Sequence, residues 1–130
     1  RVNNRIQVFR KDGTYVSELR VAPQTRGAGS VWDIAFSHDP GQSYIYLADG
    51  LNERVYIIHR ESMKVLTSFG DGGRQPGQFF GVHSIAVDSQ GNIYTTETYE
   101  GKRIQKFVFR GLAPVPGESQ GALWPNEGTQ

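Results

Sequence analysis

Chemistry in this 130-residue sequence has few places to reside: three histidines, thirteen acidic residues and a small set of regularly spaced arginines. Neutral imidazole is a zinc ligand, and a zinc site that keeps one position open for substrate draws three ligands from the protein. Of the three imidazoles, His38 is expected in a turn and His59 at the end of a strand, so His83 alone is placed as a candidate ligand. His83 is followed by Ser84 and, four residues on, by Asp88, which are the residue types of a nucleophilic triad. Adjacent residues of an extended strand point to opposite faces, so no bond between the Ser84 hydroxyl and the His83 ring is expected, and a serine hydrolase is discounted. Gly70, Gly72, Gly73 and Gly77 resemble a phosphate cradle in density alone. No Gly-Lys-Ser/Thr follows them and no helix pattern opens behind them, so they read as a connection between structural units.

Arg5, Arg54 and Arg103 are separated by two equal steps of 49 positions, and Asp49 and Glu97 stand shortly before the second and third. A guanidinium fork matches a carboxylate, so Asp49–Arg54 and Glu97–Arg103 are expected as ion pairs that fix one loop in each unit. A catalytic group is needed once, whereas a structural device is copied with its repeat. The alternative is that one of these arginines binds an anionic substrate group. Tyr99, between Thr98 and Glu100, offers a phenol to a ligand, or is a loop aromatic. Trp32 and Asp33 offer an aromatic surface with a carboxylate beside it, or Asp33 caps a turn.

These side chains must be positioned by strands. Apolar residues do not recur with a helical period for more than about two turns. Short runs rich in Ile, Val, Tyr, Phe and Thr predict strands over Arg5–Phe9, Tyr15–Val21, Val31–Ser37, Tyr44–Ala48, Arg54–His59, Lys64–Phe69, Ser84–Asp88, Ile93–Glu97 and Arg103–Phe109. Asp-Gly, Pro-Gly and Gly-Asn turns join them too tightly for crossover helices, so the sheets are expected to be antiparallel. A net charge of +1 gives no field that would draw nucleic acid or an anionic bilayer, and no apolar run is long enough to cross a membrane. The absence of cysteine excludes disulfides, thiolate metal sites and cysteine nucleophiles. The sequence opens on Arg1 without a targeting pattern, so any such peptide is expected to have been removed or never to have lain within this segment. Residues 1–110 are read as the folded part. Residues 111–130, rich in Pro and Gly, are read as a tail in which Trp124 beside Pro125 is the one large apolar side chain able to dock on a neighbouring surface.

The segments also repeat. Asn4–Phe9 is echoed by Glu53–Ile58 and by Lys102–Phe107, Asp33–Phe36 by Ser84–Val87, and Tyr44–Asp49 by Asn92–Glu97. Naming the strands of one unit A to D, the order along the chain is C, D, then A, B, C, D, then A, B, C. A repeat near 49 residues lies in the range of four-stranded propeller blades. The fold class is therefore all-β, with antiparallel four-stranded blades of a β-propeller, incomplete in this chain at about two to two and a half blades. A ring needs four blades or more, so the unpaired ends are expected to meet the remaining blades of a longer chain or other copies of the chain, as an oligomer or filament.

Gly70–Phe79, His83–Asp88, Gly91–Tyr94 and Arg103–Phe107 together resemble the NHL repeat of six-bladed β-propellers. The layout also resembles, within that group, bacterial extracytoplasmic propellers related to peptidyl-α-hydroxyglycine α-amidating lyase, a zinc enzyme. The resemblance implies that strand A lines the central channel, with Trp32 and His83 at its start in successive blades. Two functions follow from it. One is a non-catalytic scaffold that binds a protein, peptide or glycan, with Trp32, Asp33 and His83 at the site and no role for nucleic acid or membrane insertion. The other is a zinc-dependent lyase, with His83 as one of three ligands and Tyr99 as acid/base. An extracytoplasmic bacterial location, periplasmic or secreted, is implied by the resemblance alone.

Overall fold

The computed structural model describes residues 1–115, so Trp124, Pro125 and most of the expected tail lie outside the described residues. Nine strands run in chain order: β1 (Arg5–Phe9), β2 (Tyr15–Arg20), β3 (Asp33–Phe36), β4 (Tyr44–Asp49), β5 (Arg54–His59), β6 (Lys64–Phe69), β7 (Val82–Val87), β8 (Ile93–Glu97) and β9 (Ile104–Phe107). Among the described residues there is no helix. The strands form three antiparallel sheets, β1-β2, β3-β4-β5-β6 and β7-β8-β9. These are the C–D, A–B–C–D and A–B–C units of propeller blades. The main departure in bounds is at β7, which begins at Val82 because Val82 pairs with Glu97.

The A–B turns are closed by the same device twice. Asp39 accepts hydrogen bonds from the Ser37 hydroxyl and from the Ser43 amide and hydroxyl. At the equivalent turn Asp88 accepts from the amides of Gln90 and Asn92, from Asn92 Nδ2 and from the Tyr94 hydroxyl. These donors favour the ionised form. The Ser37 and Ser43 hydroxyls hold the Asp39 carboxyl down at about 2, and the Asn92 side chain with its neighbours does the same for Asp88.

Strand alternation gives each sheet a forward and a backward face. The forward face of the first sheet (Ile6, Leu19) packs on the backward face of the second (Ile34, Ile45, Leu47, Tyr56, Ile58), with Val21 between them. The forward face of the second sheet (Ala35, Tyr46, Ala48, Val55, Ile57, Phe69) packs on the backward face of the third (Ile85, Val87, Ile93, Phe107), with Phe79 and Val82. Phe69, Phe79 and Phe107 meet at centroid separations of 5.0 to 6.1 Å with tilted or edge-on rings, an arrangement the aromatic quadrupole favours. The core is thus two interfaces between successive sheets, as stacked repeats require.

Candidate functional site

In an antiparallel blade, strand B returns the chain to the end at which strand A began. The starts of β3 and β7 therefore share one end of the molecule with the B–C loops 50–53 and 98–102 and with residues 1–4, which hold the equivalent place before β1. Three residues spaced 49 apart, Asn4, Glu53 and Lys102, take left-handed φ of 53°, 57° and 48° just before strand C. The turn directs the first two across to the next sheet. Asn4 Oδ1 accepts the Ser30 amide at 2.8 Å while its Nδ2 donates to Thr25 O at 2.7 Å. At the equivalent place Glu53 Oε2 accepts the Gly81 amide at 2.7 Å. Burial pushes the Glu53 carboxyl above its ordinary value; the Gly81 and Val82 amides oppose that rise, and the charges of Glu97 and Asp49 add to it. Sequence reasoning passed over these residues, although their 49-residue spacing was visible beside the arginines.

Asp33 is a second link between sheets. Its Oδ2 accepts the Ile85 amide at 3.0 Å, on the inner edge of the neighbouring A strand, and its Oδ1 accepts the amide of Ile34. The carboxylate expected beside Trp32 in a ligand site is thus engaged in holding two blades together, and it leaves no edge amide of Ile85 unpaired.

The expected acid–arginine pairs divide. Arg103 Nε donates to Glu97 Oε1 at 2.8 Å, and the same guanidinium donates to Arg74 O at 2.6 Å and Gln78 O at 2.5 Å. The Glu97 side chain is fully buried, and Gln105 Nε2 donates to the same oxygen at 2.8 Å. This arginine binds the glycine-rich connection before β7 to the third sheet. The Asp49–Arg54 pair, in contrast, is not formed as an ion pair. Asp49 turns back on its own loop, accepting the amides of Leu51 and Asn52 and Asn52 Nδ2. Arg54 reaches only Asn52 O at 3.4 Å and Ser68 Oγ at 3.5 Å. The physical reason is competition: three local donors two or three residues away satisfy Asp49 first. Burial raises the Asp49 pKa, and the Asn52 and Leu51 hydrogen bonds, with Arg54 more distantly, oppose it. Asn52 then takes over the reach to the preceding connection, through Thr25 Oγ1 at 2.8 Å.

Trp32, His83 and Tyr99 are brought together at this end. The Trp32 ring meets His83 at 5.5 Å and Tyr99 at 6.4 Å between centroids, edge-on to both. Its Nε1 donates to Gly29 O at 2.7 Å, and the Arg1 guanidinium lies 3.9 Å over its face. Gly50 backs the ring so closely that a Cβ there would overlap it and approach Val82 O to 2.5 Å. Trp32 is therefore held on several sides and half-buried, whereas Tyr99, at a left-handed φ of 50°, stays 67% exposed. His83 is the bulged residue between Val82 and Ser84 in the β7–β8 ladder. The bulge corrects the strand argument made from the sequence, since His83 Nδ1 lies 3.2 Å from Ser84 Oγ. A triad still lacks its third member, because Asp88 sits at the opposite end of β7 within its own turn. His38 and His59 also belong to the far end, His59 bonded to Ser62 Oγ at 2.8 Å.

Zinc would need three donors here, but among the described residues no group of three His, Asp or Glu side chains is placed to hold a metal ion, and His83 is the one imidazole at this end. These residues do not fit a zinc centre. Among the described residues no helix is long and apolar enough to cross a membrane.

The NHL repeat family matches residues 81–107, the span of β7, β8 and β9 with their loops. No curated protein matches the chain.

Proposed function

From the premise that the chain carries an NHL repeat in its third sheet and is built of propeller-type blades, we propose that it is a binding scaffold that takes a protein or peptide on the end bearing the B–C loops. One observation carries the reading: at this end, acceptors repeated from sheet to sheet are consumed by architecture, while Trp32, His83 and Tyr99 form a supported aromatic cluster whose outermost ring is exposed. Val2 at 65%, Leu51 at 45% and Tyr99 at 67% exposure extend that apolar surface over successive loops. Rigid aromatic and aliphatic groups on positioned loops are the usual anchors of peptide recognition. The wider ring, its extracytoplasmic location and a non-catalytic role are parts of the same proposal.

The experiment is a displayed-peptide selection on the full-length protein, with counter-selection against a Tyr99→Ser, Leu51→Ser variant. Peptides that bind the parent and lose about tenfold or more on the variant are expected, each anchor contributing about 1–2 kcal/mol. Peptides that bind both forms equally overturn the assignment of the surface.

A further inference from the structure

The two described interfaces are built alike, and the third sheet presents a forward face that breaks their pattern. By register, Ser84, Thr96, Ile104 and Lys106 occupy the places of Asp33, Ala48, Val55 and Ile57 in the second sheet. Lys102 occupies the left-handed position of Asn4 and Glu53. Val55 is 0% exposed beneath the third sheet, while Ile104 is 72% exposed.

At both described interfaces the connection that leads into the following sheet offers a backbone amide to an oxygen acceptor at the left-handed position. An ammonium group has donors and no acceptor, so Lys102 cannot receive such an amide. Where Asp33 accepts the Ile85 amide of the next A strand, Ser84 brings a hydroxyl that faces His83. Where Ile57 packs into an apolar interface, Lys106 brings a second ammonium, 5.3 Å from the Tyr94 ring centroid. A following sheet with a backward face like those of the second and third would bury the Lys106 ammonium against the Tyr94 ring with no carboxylate beside it, and would leave Lys102 with Glu100 alone, 3.4 Å away, which is unfavourable. Ile104 lies between the two charges, and Tyr94 and Ala86 continue the row of Lys106 across the sheet, so the face retains the character of a sheet-packing surface.

We propose that this face ends the run of like blades and docks a different sheet of the same propeller, one that carries carboxylates opposite Lys102 and Lys106. The occupant follows from continuity with the two interfaces already formed and from charge complementarity. The proposal is independent of the peptide-binding reading of the loop end.

Carbodiimide treatment of the full-length protein, followed by peptide mass spectrometry, tests it, because the reagent joins an ammonium to a carboxylate in contact with it. The expected product joins Lys102 or Lys106 to an Asp or Glu of another sheet of the same polypeptide. A product confined to Glu100, which lies 3.4 Å from Lys102, overturns the proposal, as does a product with Glu118 or Glu127, one with a second molecule, or none. Lys102→Glu combined with Lys106→Ile copies the second sheet at two exposed positions. It is expected to abolish the crosslink and lower the melting temperature; an unchanged or higher melting temperature overturns the proposal.

Discussion

Arg54 and Arg103 hold the same place in the repeat, yet their removal should differ several-fold in cost. Arg103→Ala takes away the guanidinium that faces a fully buried Glu97 carboxylate and that also donates to Arg74 O and Gln78 O. Breaking a buried pair by deleting one partner costs about 3–5 kcal/mol. Gln105 still donates to Glu97 Oε1, and Arg103 is itself one quarter exposed, so the lower end, about 3 kcal/mol, applies. Arg54→Ala removes only contacts of 3.4 and 3.5 Å, and leaves Asp49 with its three local donors. A loss of about 0.5–1 kcal/mol is expected there. Lysine at 103 should not rescue, because it cannot reach the carboxylate and both carbonyls as a planar fork does. Urea unfolding of the intact protein, with m-values compared to ensure that only stability has moved, provides the assay. Equal losses for the two alanine variants, or a larger one at Arg54, would refute the reasoning.

Three further outcomes are expected. Gly50→Ala forces a methyl into the Trp32 ring and toward Val82 O; it should destabilise by about 2 kcal/mol and alter the near-ultraviolet circular dichroism of Trp32. Asp39 and Asp88 titrate at about 2 in the folded chain against about 3.9 unfolded. The unfolded state therefore takes up protons first as pH falls, and the stability these groups confer, complete above about pH 4, is lost toward about pH 2. Asp39→Asn with Asp88→Asn should flatten that part of the profile of urea midpoint against pH. Tyr99→Ser, at an exposed loop position, should leave stability within about 0.5 kcal/mol while weakening peptide binding, which calorimetry on the same samples separates.

Strand placement was legible because alternation and Gly-centred turns are local signals, and the register of the repeat was legible because Arg5, Arg54 and Arg103 recur at a fixed step. Contacts between sheets were not. The acceptor role of Asp33 depends on Ile85, 52 positions away, and becomes visible only when two A strands lie side by side. The Asp49–Arg54 pairing failed for a local reason, since Asn52 two residues before Arg54 competes for the carboxylate. The His83–Ser84 contact was hidden because a single bulged residue reverses the facing that alternation predicts. The signal that was present and unused is the series Asn4, Glu53, Lys102. Its left-handed φ is unusual for such residues and accompanies the link from one sheet to the next at the first two positions.

Side-chain oxygens of one sheet receive backbone amides of the next sheet and of the connection that leads into it, and site-resolved amide hydrogen exchange measures this directly. In the parent protein the amides of Ser30, Gly81 and Ile85 should exchange slowly. In Asp33→Ala the Ile85 amide, and in Glu53→Ala the Gly81 amide, should each speed up by about tenfold or more while strand amides of β4 and β5 hold their protection. Amides at Gly81 and Ile85 that exchange in the parent as fast as the exposed turn at Lys11–Gly13 would contradict it.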